Sequence, residues 1–181
     1  MVVGMFKPEW IKFTWKLAKL PVTDKKLGSN MEIRAGLPSE KEQIWTAIER
    51  SYQAEQGWGI TLPGRLKELK EVVYKGLDEG YLDVLVLEDG KRIVGASGLI
   101  ADPAQVRQLA TGVCVLEEYR CRSFGAALLL GSLQFLADKK MDTAAVVTRS
   151  NVLAHKYLYA KFGSERDKME SLPPISPIKS A

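Results

Sequence analysis

The run from Gly112 to Lys140 constrains the fold most. GVCVL (Gly112 to Leu116) is a short β-rich apolar stretch, FGAALLLGSLQFLADKK reads as a helix, and only the turn EEYRCRS lies between them. A strand that feeds directly into a helix leaves the first-turn N–H groups of that helix unpaired, pointing outward with the positive end of its dipole behind them. Such a turn binds phosphate or pyrophosphate. Gly125, Ala126 and Ala127 let a ligand approach the backbone, and Arg120 and Arg122 add positive charge nearby.

The remaining elements follow in a regular order from Met31. MEIRAG reads as a strand, and Ser39 with Glu42 forms a capping-box pattern opening a helix with Ile44, Trp45, Ile48 and Tyr52 on one face. A second helix, RLKELKEVVYKGLDEG, carries Leu66, Leu69, Val73 and Leu77 and stops at Gly80. YLDVLVLEDGKRIVGASGLI is a hairpin joined across Glu88-Asp89-Gly90-Lys91. LATGVCVL and DTAAVVTRS are further strands, NVLAHKYLYAKFG a further helix, and ESLPPISPIKSA an irregular proline-rich tail. The order β-α-α-β-β-β-α-β-α predicts an α+β fold, helices packed on a mostly antiparallel sheet. The domain is expected at residues 31–170, with the tail at 171–181.

The N-terminal segment is read separately. Phe6, Trp10, Phe13, Leu17 and Leu20 recur at alternating steps of four and three with lysines between them, which predicts an amphipathic helix in a basic extension spanning residues 1–30. Lys12, Lys16 and Lys19 interrupt every apolar core long enough for a signal peptide or a membrane span. Three roles stay open: docking on its own domain or a second copy, contact of residues 5–20 with an anionic membrane surface or a protein partner, or simple attachment to a fold complete without it. Residues Met1 to Gly28 hold six lysines against Glu9 and Asp24, a net charge of +4 that equals that of the whole chain. The remainder is neutral, with 20 basic and 20 acidic side chains, which argues against a nucleic-acid surface. The two cysteines, Cys114 in a strand and Cys121 in the turn, make no metal-ligand spacing and no disulfide framework, and a cytoplasmic setting is expected.

VLEEYRCRSFGAALL resembles motif A of the Gcn5-related N-acetyltransferases (GNAT), a strand followed by a pattern of the type Val-x-Pro-x-Tyr-Arg-Gly-x-Gly-x-Gly-x-x-Leu-Leu. Val115, Tyr119, Arg120, Arg122, Gly125, Leu128 and Leu129 match, and NVLAHKYLYAKFG resembles motif B. The resemblance covers about residues 31–163 and implies a GNAT-like fold with acetyl coenzyme A as co-substrate. Its pyrophosphate would be held by backbone at Arg120, Cys121, Arg122, Ser123, Gly125 and Ala126, its pantetheine arm by Val113, Val115 and Asn151. Glu117 stands where the family has proline, and Cys121 and Ser123 where it has glycines, so a positive φ at Ser123 would distort the loop. The short tail implies that the last strand or two of the usual fold are short or absent, and the sheet edge left there admits a homodimer.

Acyl transfer to an amine needs a held donor, a neutral amine, hydrogen-bond donors for the carbonyl oxygen and a proton for the leaving thiolate. Backbone N–H groups at Val115 or Leu116 are candidates for the oxygen, with ordinary strand pairing the alternative. Tyr159 is the candidate acid, placed by its distance to Gly163, with Tyr157 a competing ring. Glu117 is the preferred base over Glu118 and Glu88. Asn151 serves either the pantetheine arm or a helix N-cap. His155 is expected on a helix surface, and no base neighbours either cysteine. The implied activity is transfer of an acetyl or other short acyl group to a primary amine in a ternary complex. The alternatives are an acyl-CoA-binding protein without turnover and a docking module acting through the N-terminal helix.

Overall fold

A computed structural model describes residues 7–23 and 26–176, His155 by its backbone alone. Seven strands and three α-helices follow in the order β1 (Trp10–Lys16), β2 (Met31–Ala35), α1 (Lys41–Gln53), α2 (Leu62–Glu79), β3 (Asp83–Asp89), β4 (Arg92–Leu99), β5 (Leu109–Val115), α3 (Phe124–Asp138), β6 (Thr143–Arg149) and β7 (Glu165–Met169). The strands form two sheets, β2-β3-β4-β5 and β6-β1-β7, and every paired neighbour is antiparallel.

Side chains on the larger sheet alternate between two cores, as the two-residue period of a strand requires. Leu85 and Leu87 of β3 pack with Leu128, Leu129, Leu133 and Leu136 of α3, whereas Val84 and Val86 pack with Ile44 and Ile48 of α1 and Leu69 and Val73 of α2. The helices therefore cover both faces. The predicted α1 face is buried, and α2 stops at Gly80 in a left-handed cap with φ of 79°.

Among the described residues the N-terminal segment holds no α-helix, only β1 and a single 3-10 turn at Leu17–Lys19. β1 is the middle strand of the second sheet, pairing Trp10 to Lys16 with β6 and Trp10 to Thr14 with β7. Ile11, Phe13 and Trp15 are buried on one face and Lys12, Thr14 and Lys16 lie on the other, a period of two. The four-and-three spacing joins Trp10 to Phe13, which a strand sends to opposite faces: Trp10 packs with Trp58 on one side, while Phe13 shares the buried face with Ile11 and Trp15. Phe6 lies outside the described residues. The tail also differs from expectation. β7 is present as a five-residue edge strand, so two strands, β6 and β7, follow β5, and the N-terminal β1 pairs with both of them. No helix among the described residues is long and apolar enough to cross a membrane.

Two smaller corrections concern caps and the last helix. Ser39 and Glu42 form no capping box; instead Glu40 accepts a hydrogen bond from the Leu37 N–H at 2.8 Å, ahead of α1. Arg34 braces that turn by donating to Glu40 at 2.7 Å and to Glu88, so Glu88 is an ion-paired strand residue and not a solvated turn carboxylate. NVLAHKYLYAKFG contains only one π turn, Ala154–Leu158, and closes with Phe162 and Gly163 at φ of 62° and 75°.

β5 and β6 belong to different sheets and touch at one end. The Gln108 N–H donates to Ala145 O at 3.0 Å, and the Ala145 N–H donates to Gln108 Oε1 at 3.0 Å. Beyond that joint the strands separate, and the candidate site lies in the split.

Candidate active site

The split opens into a cavity of about 430 Å³. Thr111, Val113, Cys114 and Val115 of β5 form one wall, and Thr148 of β6 with Val152, Leu158 and Tyr159 forms the opposite wall. Cys121, Ser123, Gly125 and Ala126 close one end, while Ser51, Tyr52, Glu55 and Trp58, from the end of α1 and the connection to α2, close another.

The β5 backbone is pre-set for this geometry. The Leu116 N–H donates to Val94 O at 2.9 Å, so in the alternating ladder the amides of Val113 and Val115 face the split. This decides between the two backbone candidates: Leu116 is a ladder partner, and Val115 presents its amide to the cavity side. Val113 donates to the Tyr159 Oη at 3.0 Å. Gly112, at φ of 69°, leaves room for that phenol, since a Cβ there would stand 2.7 Å from the Tyr159 oxygen.

The turn after β5 is left-handed at both positions where the resembling motif has glycine, Ser123 included. Cys121 and Ser123 have φ of 61° and 67°, in the left-handed region that favours glycine. Ser123 precedes α3 with no side-chain cap, and the first helical amide to bond is that of Ala127, at 3.1 Å to Ser123 O. The amides of Phe124, Gly125 and Ala126 therefore stand outside the helical ladder at its positive end. That arrangement suits a phosphate, and Gly125 offers no side chain in the cavity.

The predicted side chains divide. Arg120 turns inward, donating from Nη2 to Ser51 O at 2.8 Å and from Nε to Val115 O at 3.2 Å, so it ties α1 to β5. Arg122 lies over the Tyr119 ring with its guanidinium carbon 5.9 Å from the centroid. Tyr159 is buried, and burial raises its phenol well above the ordinary tyrosine range, so it stays protonated. Tyr157 is exposed at the mouth. Glu117 is exposed in a short turn outside the cavity walls, and Glu118 pairs with Arg92 at 3.3 Å. Asn151 does not cap a helix; its Nδ2 donates to Gly57 O at 2.9 Å and fastens the α1–α2 connection to the end of β6.

Among the cavity residues not foreseen are Ser51, Tyr52, Glu55 and Trp58. Tyr52 and Trp58 pack with ring centroids 5.3 Å apart, and Tyr52 donates to Thr111 O. Arg65 of α2 lies buried behind them, 5.6 Å from the Trp58 ring centroid. The glycine-flanked AEQGWGI between two helices was the available signal, because loops held by a rigid scaffold carry function. Among the described residues no cluster of histidine, cysteine and carboxylate side chains could hold a metal.

Comparison with known proteins agrees with this geometry. Residues 80–164 match the family model described as an acetyltransferase (GNAT) domain. The fold is similar to that of a GCN5-related N-acetyltransferase from Ralstonia eutropha, with 18% identity, 83% of this chain and 97% of that one covered, and a TM-score of 0.55. It is also similar to a functionally unknown conserved protein from Staphylococcus epidermidis, at 15% identity, 89% and 58% coverage and a TM-score of 0.60. A Drosophila protein aligns at 13% identity, 90% and 49% coverage and a TM-score of 0.58. The chain thus spans about half the length of the last two proteins. No curated protein matches the sequence. The matched segment is just under half of the chain and is similar to a GNAT acetyltransferase domain, and the chain has the GNAT fold.

Proposed function

We propose that the protein transfers an acetyl or other short acyl group from acyl-CoA to a primary amine by direct attack in a ternary complex. The observation that carries this reading is the split between β5 and β6, which runs from the Val115 amide to the free amides at the start of α3. A coenzyme lying in it would place its pyrophosphate at Cys121 to Ala126 and its thioester beside Val113 and Val115. The Val115 amide would then donate to the carbonyl oxygen as that oxygen gains charge. Tyr159 would supply the proton for the departing sulfur, its burial keeping the proton in place until a strong base forms beside it.

Neither cysteine suits an acyl-enzyme route. Cys114 lines the cavity, but burial pushes its thiol up to about 12, so it is a thiol at neutral pH. Cys121 is exposed and lies in the phosphate turn. The second reading, acyl-CoA binding without turnover, draws on the side chains at Cys121 and Ser123. Release of free thiol from acetyl coenzyme A on addition of primary amines separates the two. The enzyme reading expects amine-dependent release that falls about 10²-fold or more in Tyr159→Phe. Binding with no release from the wild type would favour the second reading.

A further inference from the structure

We infer that Glu55 receives and deprotonates the acceptor amine, in a subsite that selects a primary amine on an apolar or aromatic body. This rests on the coenzyme reading above and adds the acceptor to it. Among the described residues Glu55 is the one carboxylate lining the cavity. Its side chain is only 12% exposed, and its ionic partner is Arg120, at 4.0 Å. That guanidinium is already bonded to Ser51 and Val115. A carboxylate has about four acceptor positions, and holding one nearly buried with a single distant partner is unfavourable unless a donor arrives.

The position fits the chemistry. Arg120 reaches Glu55 with one nitrogen and Val115 O with another, so Glu55 stands one guanidinium away from the strand whose amide faces the split. Tyr159 meets that strand two residues away, at Val113. Base and acid therefore flank the same short length of β5. The walls around Glu55 are the rings of Tyr52 and Trp58, with Leu153 and Tyr157 exposed at the mouth. Such walls suit an apolar body attached to the amine and give a second carboxylate on the acceptor little to bond.

In the step inferred, Glu55 takes one proton from the acceptor ammonium. The freed nitrogen lone pair forms the C–N bond, and the C–S bond breaks with its electron pair going to sulfur. Tyr159 protonates the thiolate, and the second nitrogen proton, lost as the amide forms, returns to the Tyr159 phenolate. The products are the amide, the free thiol and one proton passed to water from Glu55. The charged and titratable groups that line the cavity with Glu55 are Arg120 and Cys121 from the turn, Cys114 from β5, Tyr52 from α1, and Tyr157, Tyr159 and Lys161 after β6, with Arg65 of α2 over the Tyr52 ring. The cations among them disfavour an ammonium in the cavity and so favour release of its proton.

The test compares wild type, Glu55→Gln and Glu55→Asp with acetyl coenzyme A and phenethylamine as probe, and with glycine as an acidic counterpart. Thermal shift with acetyl coenzyme A alone is measured for each. The expected result is a wild-type-like shift in both variants and a kcat/KM for phenethylamine reduced about 10²-fold or more in Glu55→Gln, with partial recovery in Glu55→Asp. The acid limb of the rate profile should move in Glu55→Gln toward the ionisation of the free amine, roughly pH 10. Glycine should be the poorer acceptor in the wild type. Unchanged kcat/KM and an unchanged limb in Glu55→Gln overturn the inference, as does a wild type that binds acetyl coenzyme A yet prefers glycine. A wild type with no shift fails the coenzyme reading itself, and this inference with it.

Discussion

Cys121 and Ser123 place side chains at two left-handed positions of the turn before α3. Both adopt a left-handed φ at positions where the resembling motif has glycine, at a cost of about 1 kcal/mol each. Replacing either by glycine is expected to raise stability by about 0.5–1 kcal/mol in urea titrations, without loss of acetyl coenzyme A binding. A less stable Ser123→Gly variant would mean the serine makes a compensating contact. The strain was foreseeable in part, since the substitutions were visible in RCRSFG, but the sign of φ is set by how the chain leaves β5 and enters α3. Cys114 offers a second residue-scale check. With its thiol pushed up to about 12 and buried, it should resist iodoacetamide at pH 7.5 in the folded protein, whereas exposed Cys121 should react. Mass spectrometry of the labelled peptides reads both outcomes. Tyr159, picked out by motif spacing, lines the cavity; Glu55 lines it too but had no such signal, because no local pattern tells a carboxylate after a helix that residues far along the chain will share its cavity.

At the scale of elements, β1 is the largest departure from the sequence reading. Its lysines and widely spaced aromatics imitate a helix, and the choice between periods of 3.6 and two rests on Ile11 and Trp15, whose places were settled by β6 and β7 on either side. Trp15 is fully buried and donates its Nε1–H to Lys161 O at 2.8 Å. Trp15→Ala is expected to cost about 3–5 kcal/mol in chemical denaturation. Removal of residues 1–19 should leave β6 and β7 without their shared partner and abolish cooperative unfolding. A truncated chain that melts like the full one would restore the appended-helix reading. The Arg34–Glu40 pair makes a pH-dependent prediction. The hydrogen bond from Arg34 holds the Glu40 carboxyl below its ordinary range. A lowered carboxylate contributes stability above its unfolded value and loses it as pH falls through its folded value. Glu40→Gln should therefore cost about 1–2 kcal/mol at pH 7, with the difference from wild type narrowing in acid. The failed last helix has a physical reason too: Tyr159 is drawn onto Val113, and Phe162 and Gly163 turn left-handed, which permits one turn and no more.

Across the whole molecule, the α+β order from Met31 to β6, the buried face of α1, the hairpin and the strand-to-helix turn after β5 were legible, because each is written in local period or turn chemistry. The division into two sheets was not. It depends on β1 entering between β6 and β7 and on the Gln108–Ala145 hydrogen bonds that tie β5 to β6 at one end, contacts between parts of the chain far apart in sequence. That division makes the cavity, and the central claim is that coenzyme A lies in it. The direct measurement is titration of the full-length protein with acetyl coenzyme A, followed by thermal stability, beside Gly125→Trp, whose ring would fill the cavity at the phosphate end. At about 100 times the dissociation constant the ligand should stabilise the wild type by roughly 2.7 kcal/mol, and the variant should show no shift. Equal shifts in both proteins, or none in the wild type, would contradict a coenzyme site between β5 and β6.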